Sequence, residues 1–128
     1  MKNFSLCLLL TCLGGFSCDA QAFIDSFRMY HDVKITLDVP SYRYKQTILI
    51  FFALPNGNTT AQTMGKKLVP GDNWHFDIQH IKAQTSFVRE KLKQNIVVAY
   101  LENDYKSWPL WKQKHPDYRS EILHIIDT

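Results

Sequence analysis

The fold turns on two short apolar runs, Ile48-Leu49-Ile50-Phe51-Phe52-Ala53-Leu54 and Ile96-Val97-Val98-Ala99-Tyr100-Leu101. Each is continuously apolar, rich in β-branched and aromatic side chains and too short for a core helix, which reads as a strand buried on both faces. Between them, Trp74, Ile78, Ile81, Thr85, Val88 and Leu92 step by four and three. That spacing lays one stripe along a helix of about twenty residues. Asp72 or Asn73 is placed to cap it, Asp77 lies early, where the helix dipole favours an anion, and Lys91 and Lys93 lie at the cationic end. Strand, helix and strand make a βαβ unit, so the two strands should be parallel with a right-handed crossover.

Working outward, Phe27, Met29, Val33, Ile35, Leu37 and Val39 alternate with polar residues such as Lys34, Thr36 and Asp38, and Pro40 closes the run. Period two predicts one strand with a wet face near a sheet edge. Ser41 to Lys45 is a connection in which Tyr42 and Tyr44 can cover the sheet. From Pro55 to Asn73 the turn formers Asn56-Gly57-Asn58-Thr59-Thr60, Gly65 and Pro70-Gly71 predict a long irregular loop, of the kind that tends to be functional. Beyond the second run, Glu102 to Pro116 is polar around Trp108-Pro109-Leu110-Trp111, and Ile122, Ile125 and Ile126 predict a last helix over Asp117 to Asp127. The expected fold class is α/β, a partial and mostly parallel sheet of about three strands with two packed helices. Three strands supply too few neighbours for two strands that read as buried.

Residues 1–22 read as a signal peptide, with Lys2 as a positive n-region, Leu6 to Leu13 as the apolar region and Ala20-Gln21-Ala22 as the cleavage signal. Cleavage after Ala22 leaves 128 − 22 = 106 residues, one domain spanning 23–128. All three cysteines, Cys7, Cys12 and Cys18, fall in the removed segment. The mature chain then has no disulfide, and its core alone must hold an exported domain of this size. Lipidation at Cys18 is the competing reading, but Gly15-Phe16-Ser17 lacks the aliphatic residue of a lipobox. The expected location is periplasmic or extracellular, with no membrane span once the signal is gone. Removing Lys2 and Asp19 keeps the net charge at +3, since 15 basic against 12 acidic becomes 14 against 11. Those charges form no basic run, which argues against a nucleic-acid surface.

Chemistry is sparse. Asn56-Gly57-Asn58 follows a buried strand, at the edge where open α/β sheets bind ligands, and can present backbone N–H groups to an anion. Asn-Gly is also an ordinary turn dipeptide, and Asn58-Thr59-Thr60 fits a glycosylation sequon. His75 and His80 lie about 140° apart on a helix and cannot share a metal; Asp77 with His80 gives only two ligands. No metal site and no cofactor follow. His31, His115 and His124 read as isolated, and Trp108 and Trp111 as loop anchors or pocket and contact aromatics. None of Ser26, Ser41, Ser86, Ser107 and Ser120 sits in a Gly-x-Ser-x-Gly elbow, and Gly57, Gly65 and Gly71 are too far apart for a phosphate loop.

The order of elements, with a buried strand ending in Pro55-Asn56-Gly57-Asn58, a helix, the strand Ile96 to Leu101, a Trp-Pro loop and a further helix, resembles the N-terminal portion of a secreted α/β-hydrolase. The resemblance implies an esterase-like or depolymerase-like parent, acting on a small-molecule or polymeric ester, in which Asn56, Gly57 and Asn58 form the oxyanion-side loop. It also implies that the nucleophilic Ser, the acid and the triad His lie outside these residues, so that the chain carries no catalytic residue of its own. The alternative is a complete small exported α/β binding domain, with Tyr42, Tyr44, Trp108 and Trp111 as its contact surface.

Overall fold

A computed structural model describes residues 23–41, 43–67, 69–71 and 80–128. The expected signal peptide, Tyr42, and the Asp72 to Ile78 part of the expected long helix lie outside the described residues. The elements are β1 (Phe23–Met29), β2 (Val33–Val39), β3 (Thr47–Ala53), α1 (Thr60–Met64), α2 (Ile81–Lys91), β4 (Asn95–Asn103), α3 (Trp108–Lys114) and α4 (Tyr118–Asp127). They form a four-stranded sheet in the order β1-β2-β4-β3. β2 runs antiparallel to both β1 and β4, and β3 runs parallel to β4.

The α/β class and the parallel pairing of the two apolar strands are as the sequence predicts, but the sheet is mixed and four-stranded rather than mostly parallel with about three strands. The expected single strand from Phe27 to Val39 is a hairpin broken at Tyr30-His31-Asp32. Met29 pairs with Val33 across that turn, and Tyr30 and His31 hold φ of 51° and 63°. A left-handed backbone costs a non-glycine residue about 1–2 kcal/mol, and no glycine or Asn-Gly pair announces this one. A local bond, Arg28 Nη1 donating to the His31 carbonyl at 2.8 Å, and a tertiary one, the Tyr30 hydroxyl 2.6 Å from His124 Nδ1, hold it.

The hairpin also changes which strands are edges. β2, expected near an edge with a wet face, is interior, and both its faces are covered. Val33, Ile35 and Leu37 join Ala99 and Leu101 of β4, Trp111 of α3 and Ile125 of α4 in one core. On the opposite face, Ile96, Val98 and Tyr100 of β4 pack with Leu54, Met64 of α1, and Ile81 and Val88 of α2. Thr36 and Asp38 of β2, read as solvent-facing, are buried. They share a face with Tyr100 and Val98, their cross-strand partners. The sheet is therefore a middle layer, with α1 and α2 on one side and α3 and α4 on the other.

β3 reverses its reading too. It is an edge strand, and Ile48, Leu49 and Ile50 are 38, 48 and 39% exposed. Among the described residues there are four helices where two were expected. α1 interrupts the loop after Pro55, started by a capping box in which the Thr59 and Gln62 side chains each accept from the other's backbone N–H. α3 lies in the stretch read as polar connection, with Ser107 as N-cap and Pro109 in its first turn.

Candidate functional site

The parallel strands β3 and β4 end at the same edge of the sheet, beside the β1–β2 turn. Three segments meet there: Leu54 to Thr59 after β3, Asp104 to Ser107 after β4, and Tyr30 to Asp32. The chain leaves β3 through a Leu54 N–H bonded to the Leu101 carbonyl at 3.0 Å, then turns at Gly57, whose φ is 85°. Gly57 N–H donates to the Lys106 carbonyl at 2.7 Å, and Asn58 N–H returns to the Pro55 carbonyl at 3.2 Å. Glu102 fixes the far side of the loop, one carboxylate oxygen accepting from both the Thr60 N–H (2.8 Å) and its hydroxyl (2.6 Å).

Asn56, Gly57 and Asn58 are thus adjacent at the carboxyl edge of the parallel strand pair, but differently occupied. Asn56 and Gly57 are exposed, and an added Cβ on Gly57 would meet nothing within 4 Å. Asn58 is only 6% exposed, which puts the acceptor amide of the sequon inside the fold. The N–H groups of Gly57 and Asn58 are spent within the fold.

The two tryptophans separate. Trp111 is fully buried and belongs to the core rather than to a contact surface. Trp108 packs edge-on against it, ring centroids 5.3 Å apart, and with Phe51, Ala53, Leu101, Ile122 and Ile125 lines an apolar cavity of about 220 Å³ beside β3.

Two polar clusters escaped the sequence reading because their members are far apart in the chain. Under α2, buried Arg89 donates to Asp38 Oδ1 at 2.9 Å, to the Asp38 carbonyl at 2.8 Å, and twice to the Ile96 carbonyl at 2.9 and 2.7 Å. Tyr100, on the same face, has its phenol pushed up to about 12, first by burial and then by the Asp38 charge. At the other face, His115 Nε2 lies 2.8 Å from Asp32 and its Nδ1 lies 2.7 Å from Glu121. The only local signal for the second cluster was Glu121 six residues after His115, across the Pro116 corner.

Among the described residues no group of three or more His, Cys, Asp or Glu is placed to hold a metal ion, and no helix is long and apolar enough to cross a membrane. Fold and site together define a three-layer α/β protein with its loops gathered at the carboxyl edge of a parallel strand pair. Comparison with family models, with curated proteins and with solved structures gives no match for this chain.

Proposed function

We propose that the chain is the N-terminal portion of an exported α/β-hydrolase of esterase or depolymerase type, with Asn56, Gly57 and Asn58 on the oxyanion side of its site. The observation that carries this reading is β3. Ile48 to Ala53 are apolar on both faces, which suits an interior strand, yet among the described residues no strand pairs with the outer edge of β3, and Ile48, Leu49 and Ile50 are exposed.

The helices support this reading by the side of the sheet each one covers. The step from β3 to β4 passes through α2 on one face, whereas α4 follows β4 on the opposite face. Parallel crossovers are right-handed, so a helix on the opposite face carries the chain in the opposite direction. A strand after α4 would therefore lie beyond β3, on its open edge. The sheet order would then reverse at β3, and ligands of open α/β sheets bind at the carboxyl end of such a switch point. The Pro55 to Asn58 loop stands at that end.

The experiment has two steps. The reading frame past codon 128 should encode a buried strand and a Gly-x-Ser-x-Gly elbow within about twenty residues. The longer protein should then hydrolyse p-nitrophenyl acetate and be labelled by a fluorophosphonate at that serine. A stop after Thr128, with the 128-residue chain unfolding cooperatively as a monomer, would overturn the proposal and leave the small binding domain.

A further inference from the structure

We propose that His115 is a proton-gated clasp: its cationic ring ties the start of α4 to the β1–β2 turn, and loss of the proton releases Glu121 while Asp32 stays bound. The inference is independent of the hydrolase reading. His115 sits at the end of α3, its N–H bonded to the Trp111 carbonyl at 3.1 Å and its carbonyl accepting from Tyr118 N–H at 3.1 Å. The ring stacks on the fully buried Trp111, centroids 4.2 Å apart and planes at 19°, so it cannot shift far.

Both ring nitrogens face carboxylates, Nε2 at 2.8 Å from Asp32 Oδ2 and Nδ1 at 2.7 Å from Glu121 Oε2. Carboxylates only accept, so both nitrogens must donate, which only the imidazolium form can do. A neutral ring would aim a lone pair at one carboxylate at that distance, and this contact must open.

The two carboxylate side chains are equally exposed, at 18%, so the difference lies in their individual oxygens. Asp32 Oδ1 is buried and has no hydrogen-bond partner, so losing His115 would leave that carboxylate with no side-chain hydrogen bond and one oxygen shut off from water. The Asp32 backbone is also pinned, its carbonyl accepting from Asp104 N–H at 2.9 Å. Glu121 has a longer side chain in the first turn of α4, where it can swing into water and keep a favourable position on the helix dipole. The neutral ring therefore keeps its N–H on Asp32.

The charges acting on the ring are Asp32 from the β1–β2 turn and Glu121 from α4; α3 presents the uncharged face of Trp111. Behind Asp32, Arg28 is paired with Asp104 and also feels the Asp32 charge. Partial burial lowers the ring's proton affinity, but the two carboxylates outweigh it and hold the ring above the ordinary histidine range. Release acts on the N-terminal half of α4, which carries Ile122 over the apolar cavity. The other half stays tied through His124 Nδ1 and the Tyr30 hydroxyl, 2.6 Å apart.

The test is a ring ¹⁵N titration of the full chain between about pH 5 and 9.5, with amide hydrogen exchange at both ends. At neutral pH both His115 nitrogens should carry protons, and the midpoint should exceed the value of about 6.5 for free histidine. Above it, Nδ1 should lose its proton while Nε2 keeps its own, and the amides of 121–124 should exchange about tenfold faster after correction for intrinsic rates. The Asp104 amide should keep its protection. A ring already neutral at pH 7, a proton lost from Nε2 first, or equal loosening of Asp104 would each overturn the proposal. Asp32→Asn and Glu121→Gln should both lower the midpoint; should the former not fold, the latter, which removes only the releasable partner, answers the same question.

Discussion

Replacing Arg89 by Met keeps a long unbranched chain under α2 but removes the guanidinium. Asp38, fully buried, then loses its cation, and the Asp38 and Ile96 carbonyls lose three donated hydrogen bonds between them. Breaking a buried ion pair from one side costs about 3–5 kcal/mol, and part of a further 1–3 kcal/mol for each orphaned carbonyl adds to it. We expect a loss of about 4–6 kcal/mol, most of the stability of a domain this size. With a urea dependence of about 1.5 kcal/mol per molar, the midpoint should fall by roughly 3 M. The assay is urea unfolding at pH 7 followed by far-ultraviolet circular dichroism. Asp38→Asn alone should cost less, because its amide oxygen still accepts from Arg89. The double variant should recover about 2 kcal/mol relative to the sum of the two, since no charge is then left unpaired. The reasoning fails if Arg89→Met stays within about 1 kcal/mol of wild type or if the two substitutions add.

Tyr100 gives a pH prediction. Its folded pKa is raised above the ordinary tyrosine value, to about 12, so the neutral phenol's contribution to stability is complete below about pH 10 and lost between about 10 and 12. Absorbance near 295 nm should show one tyrosine ionising last, together with unfolding. Gly57→Ala should cost about 1 kcal/mol by thermal unfolding. That cost is all backbone strain, because φ is 85° and no atom stands in the way of the new Cβ. Trp111→Ala should cost about 3–5 kcal/mol in the same assay, the range for emptying a buried aromatic site. Leu49→Lys should reduce concentration-dependent association in sedimentation velocity, by placing a charge on the open β3 edge.

What the sequence made legible were the elements whose periodicity is local. The β3 and β4 runs, the Ile81–Val88 stripe and the Asp117 helix start each declare themselves within a dozen residues. What stayed hidden were decisions taken by distant partners. Alternation through Phe27, Met29, Val33 and Ile35 continues across the turn with its phase intact, so period alone could not separate β1 from β2. Tyr30 and His31 carry the reversal because His124, and through Asp32 also His115 and Asp104, hold the turn from far along the chain. Asp38 looks like a wet-face residue until Arg89, fifty-one positions away, supplies the charge that lets it be buried. For the same reason Thr36 looks solvent-facing in the sequence, since the helix layer above it is invisible in β2 itself. The candidate loop was legible as a position but not as a state, because the Gly57 bond partner lies on the loop after β4.

The Gly57 hydrogen bond limits what this loop can do in a hydrolase. An N–H that donates to Lys106 at 2.7 Å cannot at the same time hold the charge of a tetrahedral intermediate. One preorganised donor is worth about 3–4 kcal/mol in a transition state only if it faces the oxygen before reaction. Gly57 and Asn58 therefore serve the loop by shaping it: the first anchors the turn to the β4 side and the second closes the turn on Pro55. On the proposed reading, donors toward a ligand would fall to the exposed Asn56 side chain and to groups brought in beyond β3. In the longer protein that this proposal requires, Asn56→Ala should then lower kcat by tenfold or more with KM little changed, the pattern of a contact made only in the transition state. Gly57→Ala should act mainly through stability. If Gly57→Ala instead abolished turnover in protein that remained folded while Asn56→Ala had no effect, the assignment of roles within the loop would be reversed.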